Sequence, residues 1–181
     1  IMALEFEVVR NPNPMPSEQR AKILEAPVFG QNRTDHQVIC VWEKERGWVS
    51  AQVVPYAPIQ MDPAAAVLHY GQEIFEGIKA YRHDDGSIWT FRPYENAKRL
   101  QRSARRMALP EVPEELFVES LRQLIAVDGD WNSRIAGSVG SARTASAVLS
   151  SWEAGRRRRR IRGALFVEMA VLLVPQLPVN R

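Results

Sequence analysis

The sequence predicts an α+β fold in which hairpins pack with two or three helices in one unit spanning residues 1–131. Three observations predict it. β-Branched and aromatic runs come in pairs around short turn segments, Gln37–Trp42 with Trp48–Tyr56 and Ile78–Tyr81 with Ser87–Phe91. Apolar spacing then switches to three and four over Pro93–Met107 and again over Pro113–Ile125. Finally, 45% hydrophobic and 25% charged content in 181 residues suits a folded chain with room for one ordinary domain. That composition excludes collagenous, disulfide-rich and wholly disordered chains.

In chain order, Asn11-Pro12-Asn13-Pro14 is a break, and Ser17–Leu24 reads as a short helix. Gln37–Trp42 is a strand, Glu45-Arg46-Gly47 a turn, and Trp48–Tyr56 the returning strand of a hairpin. The single Cys40 sits in the first of these strands, where a buried, unreactive thiol is expected and an internal disulfide is impossible. Pro63 followed by Ala64-Ala65-Ala66-Val67-Leu68 opens a short helix that stops near Tyr70-Gly71. His83-Asp84-Asp85-Gly86, with its Asp-Gly pair, turns a second hairpin. In the next helix Ala97, Leu100, Ala104 and Met107 form the apolar face, and Leu109-Pro110 ends it. Glu114 and Glu115 lie at the favourable end of the last helix's dipole, and Phe117, Leu121, Leu124 and Ile125 make its buried stripe.

The formal charge of +3 averages two unlike segments. Residues 1–132 hold 15 Lys+Arg against 19 Asp+Glu, a net of −4, whereas residues 133–181 hold nine Arg and two Glu, a net of +7. Such asymmetry places a boundary at Trp131–Asn132 and makes residues 132–181 a separate Arg-rich tail, expected to be disordered or, since its basic residues are all arginine, to derive from a shifted reading frame. Arg156–Arg160 are five consecutive arginines without interleaved aromatics or zinc-ligand spacing, so a solvated segment is expected and a nucleic-acid partner is not. No apolar run approaches the about 20 residues of a membrane helix. The start of the chain lacks the basic and apolar regions of a signal peptide, so a cytoplasmic location and no membrane contact are expected. No metal-ligating cluster stands out.

The segment Leu68-His69-Tyr70-Gly71-Gln72-Glu73-Ile74-Phe75-Glu76-Gly77-Ile78-Lys79-Ala80-Tyr81 resembles the signature of class IV pyridoxal-phosphate aminotransferases, especially the branched-chain amino acid aminotransferases. Phe91-Arg92-Pro93 and then Asn96-Ala97-Lys98-Arg99-Leu100-Gln101-Arg102-Ser103 resemble the same family's phosphate-contacting helix, at the right distance. The likeness, lost abruptly in residues 132–181 as a shifted reading frame would lose it, covers most of residues 5–131, including Thr34-Asp35-His36 and Glu119–Ile125. It implies the small amino-terminal domain of a fold-type IV enzyme, with the second domain missing.

The resemblance implies that Arg99 grips the phosphate of pyridoxal phosphate, a task suited to a permanently charged fork of donors. It implies that Tyr70 and Phe75 line the pocket for an aliphatic substrate side chain, with Gly77 allowing close backbone approach. Periodicity alone would make Arg99 a solvated arginine, and without the motif the burial habit of aromatics would make Tyr70 and Phe75 core residues. His69 and Glu76 carry no assigned role. The implied reaction moves an amino group between leucine, isoleucine or valine and 2-oxoglutarate, in a homodimer, and it needs a lysine that forms a Schiff base with the cofactor. The chain has Lys22, Lys44, Lys79 and Lys98, and none matches the family's lysine, which belongs to the second domain. No catalytic residue is therefore assigned. A truncated, inactive copy is expected, the alternative being a non-catalytic remnant that acts as a binding or interaction protein.

Overall fold

Strand alternation and helix periodicity meet in a layered arrangement, seen in a computed structural model that describes residues 4–25, 32–132, 143–145 and 165–172. The first sheet has the order β1-β3-β2, with β1 Phe6–Val8, β2 His36–Glu43 and β3 Gly47–Pro55. The expected hairpin is present: β2 and β3 run antiparallel with Val38 opposite Val53 and Cys40 opposite Ala51. Gly47 takes φ +74° in the turn, a conformation most other residues avoid. β1 lies parallel to β3, pairing Phe6 with Ala51.

The second hairpin pairs β4 (Glu73–Arg82) with β5 (Ile88–Thr90), placing Tyr81 opposite Trp89. β4 is longer than the apolar run suggested and alternates strictly. Ile74, Glu76, Ile78 and Ala80 are buried on one face, and Phe75, Gly77, Lys79 and Tyr81 occupy the other. Beyond Asn132 the sequence shows no periodicity, yet two strands lie there: β6 (Arg143–Ala145) and β7 (Leu165–Leu172). β7 runs antiparallel to β4 from Glu73 opposite Leu172 to Ala80 opposite Leu165, and β6 lies parallel to β7. The arginine run 156–160 and the rest of the tail lie outside the described residues.

The helices are α1 (Ser17–Glu25), α2 (Ala66–Tyr70), α3 (Pro93–Arg106) and α4 (Glu114–Asp128), followed by a 3-10 turn at Gly129–Trp131. α2 starts later than Pro63 because Asp62 first folds the chain back: its carboxylate accepts from the Ala64 N–H at 2.7 Å and its carbonyl from the Ala65 N–H at 2.9 Å. Gly71, at φ +57°, ends it. α3 packs on β4, α4 packs on β2 and β3, and the two helices pack on each other, so one core runs between the sheets. Ala97, Leu100 and Ala104 of α3 meet Phe117, Leu121 and Leu124 of α4 within that core, on the faces their spacing predicted.

Polar staples close the unit. His36 and Asp128, both buried, are joined twice: the His36 backbone N–H donates to Oδ2 at 3.0 Å, and Nδ1 lies 2.7 Å from Oδ1. The Asn11 N–H donates to His36 Nε2 at 2.8 Å, so Nε2 is the acceptor and the ring hydrogen sits on Nδ1, aimed at Asp128. Trp131, only 2% exposed, donates its indole N–H to Asp35 at 2.9 Å, and the other Asp35 oxygen accepts from the Met15 N–H at 2.8 Å. Arg82 donates to the carbonyls of Gly129 and Asn132. Cys40 is half-buried in β2. Burial pushes its thiol up to about 11, with the Ser120 hydroxyl at 3.8 Å pulling the other way.

Candidate phosphate and substrate site

The signature segment and the arginine helix come together because α3 lies on the inner face of β4. The helix begins abruptly. Arg92 is held at φ 48°, ψ 53°, a left-handed conformation uncommon for a residue with a side chain, and Pro93 then supplies a preset first-turn φ. Ala97, Leu100 and Ala104 seat the helix on the sheet, their small or flexible side chains allowing close approach. Asn96 and Arg99, one turn apart, then project together to one flank of that contact.

Both reach Glu76. Its side chain is 2% exposed, and its carboxylate accepts from Arg99 Nε at 2.7 Å, from Arg99 Nη2 through a short contact, from Asn96 Nδ2 at 3.0 Å and from the Gly77 N–H at 3.0 Å. A buried carboxylate without partners is very costly, and here donors surround it. Asn96 Nδ2 also lies 3.2 Å from the Gly77 carbonyl, tying the helix to the strand backbone. Arg99 itself stays 60% exposed. The hydrogen bonds Arg99 donates to Glu76, and then the carboxylate's charge, hold the guanidinium above its ordinary value. Glu76 takes the Nε/Nη2 edge of the fork side-on, which leaves the Nη1/Nη2 end pointing to solvent.

The other predicted residues lie on different surfaces. Phe75 and Gly77 share the outer face of β4, opposite to Glu76, and Phe75 is 59% exposed. Tyr70 ends α2, is 85% exposed and meets His69 edge-on at 6.3 Å. Neither aromatic is a core residue, contrary to what composition alone would suggest. Tyr81 and Trp89, paired across β4 and β5, extend the same outward face. His69 accepts no catalytic geometry: its Nε2 lies 2.6 Å from the Pro63 carbonyl, which fixes the turn before α2. Sequence reasoning passed over Glu76 and Asn96. The usable signals were a carboxylate in the buried phase of Ile74-x-Glu76-x-Ile78 and an Asn96-x-x-Arg99 spacing on the facing helix.

No family model matches the chain. It is 62% identical over 128 residues to the branched-chain-amino-acid aminotransferase of Mycolicibacterium smegmatis, a match covering 71% of this chain and 35% of the relative. It is 55% identical over 129 residues to that of Mycobacterium tuberculosis, again 71% and 35%. The chain belongs to the branched-chain aminotransferase family. A probable branched-chain-amino-acid aminotransferase of Streptomyces coelicolor, 50% identical over 126 residues, covers 70% of this chain and 35% of its own length. All these matches fall in the amino-terminal part, so the chain spans about a third of the length of the curated relatives it matches.

Branched-chain aminotransferases are pyridoxal-phosphate enzymes, and the side chains present can be tested against the two ends of that cofactor. The phosphate end fits: the open end of the Arg99 fork matches an oxyanion in charge and bidentate geometry. The aldehyde end does not. Lys79 lies on the outer face of β4, away from Glu76. Lys98 pairs with Glu95 at 3.3 Å, Lys22 pairs with Glu18 at 2.9 Å, and Lys44 is exposed beside the first turn. Among the described residues no group of His, Cys, Asp or Glu could hold a metal ion, and no helix is long and apolar enough to cross a membrane.

Proposed function

We propose that this chain carries the phosphate-gripping corner and part of the substrate wall of a pyridoxal-phosphate branched-chain aminotransferase, without the means to turn over alone. The observation that carries the reading is Arg99, anchored side-on by buried Glu76 with the rest of its fork open. In the complete enzyme the cofactor supplies an electron sink for the amino-acid α-carbon. Arg99 holds the phosphate by charge and fork geometry. Tyr70, Phe75 and Gly77 supply an apolar wall that accepts leucine, isoleucine or valine, with 2-oxoglutarate as the amino acceptor. The exposure of Phe75 and Tyr70 supports this, since it leaves both rings open to a ligand. We assign the complete protein to the cytoplasm as a homodimer.

The structural unit is assigned to residues 1–131, and residues 132–181 to a tail of separate origin. Sequencing the locus tests this: a second domain resuming in another frame supports it, and continuous unrelated coding removes it. Function is tested by an absorbance scan of the full chain mixed with pyridoxal phosphate, then borohydride reduction and peptide mapping. No specific lysine label and no leucine-dependent glutamate are expected. A specific label, for example on Lys79, together with glutamate formation would overturn the reading.

A second reading is a non-catalytic remnant that pairs with a full-length subunit, favoured by the outward aromatics Phe75, Tyr81 and Trp89. Co-purification with such a subunit would support it. Salt-sensitive nucleic-acid binding lost on deletion of Arg156–Arg160 would instead make the tail the interaction element.

A further inference from the structure

Resting on the reading of Arg99 as a phosphate ligand, we infer that Glu76 is the positioning residue of that site: it fixes the Arg99 fork before any anion arrives. An arginine on an exposed helix face has many rotamers, and an anion must immobilise it at an entropic cost. Here that cost falls on folding. Glu76 is anchored by its place in the buried phase of β4, by the Gly77 N–H at 3.0 Å and by Asn96 at 3.0 Å, so it cannot follow the arginine outward. Arg99 donates to it through Nε at 2.7 Å and through Nη2, which sets the guanidinium plane and directs the Nη1 end to solvent. Asn96 belongs to the same device: bonded to both the Glu76 carboxylate and the Gly77 carbonyl, it couples helix to strand and keeps Arg99 in register with its partner.

A carboxylate behind the arginine also repels an incoming anion. Glu76 is buried, but the anion would sit at the open end of Arg99, which is 60% exposed, so water and salt reach the space between them and weaken that repulsion. Loss of alignment, in contrast, frees the whole side chain. Net weakening on removing the Glu76 charge follows.

The test uses the full chain with 15N-labelled arginine, titrated with inorganic phosphate and then pyridoxal phosphate. In the wild type the Arg99 Nε–H is expected to exchange slowly both without and with phosphate, while only the Nη resonances move on titration. An Nε–H that becomes exposed when phosphate binds would mean that the anion displaces Glu76, and would overturn the inference without any variant. Glu76→Gln keeps one acceptor oxygen but loses the charge and one of the two Arg99 bonds, so the Nε protection should fall and phosphate affinity should drop about tenfold, the scale of one charge-assisted hydrogen bond. A folded Glu76→Gln that binds phosphate as well as wild type overturns the inference. Arg99→Ala separates the two claims. If it leaves phosphate binding unchanged, the reading of Arg99 fails; if it abolishes binding while Glu76→Gln does not weaken it, only the role of Glu76 fails.

Discussion

Replacing Asp128 by Ala should unfold this unit more readily than any surface change, because it removes the acceptor of two buried donors at once. The His36 N–H at 3.0 Å and the His36 Nδ1–H at 2.7 Å both end on this carboxylate, and both residues are less than 5% exposed. A buried donor left without a partner costs about 1–3 kcal/mol. Allowing partial relaxation, Asp128→Ala should cost about 2–4 kcal/mol, a large share of the ~5–15 kcal/mol that holds a domain together. The ring cannot escape by moving its hydrogen to Nε2, since that atom would then face the Asn11 N–H 2.8 Å away, donor against donor. Asp128→Asn keeps the shape but sets its NH2 against one of the two His36 donors, so it should cost about as much as Asp128→Ala. Urea unfolding of the full chain, followed by tryptophan fluorescence, measures both through the shift in midpoint at constant slope. An Asp128→Ala cost below about 0.5 kcal/mol, the size of an ordinary surface change, would refute the argument that this staple joins the start of β2 to the end of α4.

Other consequences are as direct. The Cys40 thiol, pushed up to about 11 by burial, should alkylate at pH 8 about 100-fold more slowly than an ordinary thiol of value 9.0, recovering as pH rises toward 11. The linked stability is present below about 9 and is lost as pH rises from 9 to 11, where the unfolded thiol ionises first; a chemical-denaturation series across that window reads it. Gly71→Ala places a Cβ at φ +57° and should cost about 1–2 kcal/mol by thermal melt although nothing crowds the site. Trp131→Phe keeps most of the buried ring but strands an Asp35 oxygen now 2.9 Å from the indole N–H, for about 1–2 kcal/mol in the same melt.

Much of the fold was legible because its signals are local. The Asp85-Gly86 turn, the spacing of Ala97, Leu100 and Ala104, and the acidic start of α4 each act within a few residues, and each element formed where expected. β1 was not legible, since three residues become a strand only by finding Ala51–Val53 some forty positions away. β7 depends on β4 in the same manner, and no local pattern marks its partner. At the candidate site, Arg99 and Phe75 were reachable through motif wording. Glu76 was not, because its meaning lies in the phase of the strand and in which helix covers that face. Tyr70 and Phe75 show the reverse lesson: aromatic identity alone predicts burial, and position overrules it.

The alternation of β4 sets how this chain can change. Any substitution on one side of the strand leaves the other side undisturbed, so the outer wall can drift from Phe75 to another residue while Glu76 keeps its grip on Arg99. A change of length is another matter. One residue inserted between Glu76 and Ile78 would turn the carboxylate outward or expel Ile78 and Ala80 from the core, with only a bulge to absorb it. Variation in this strand should therefore be rich in spelling and intolerant of insertions or deletions.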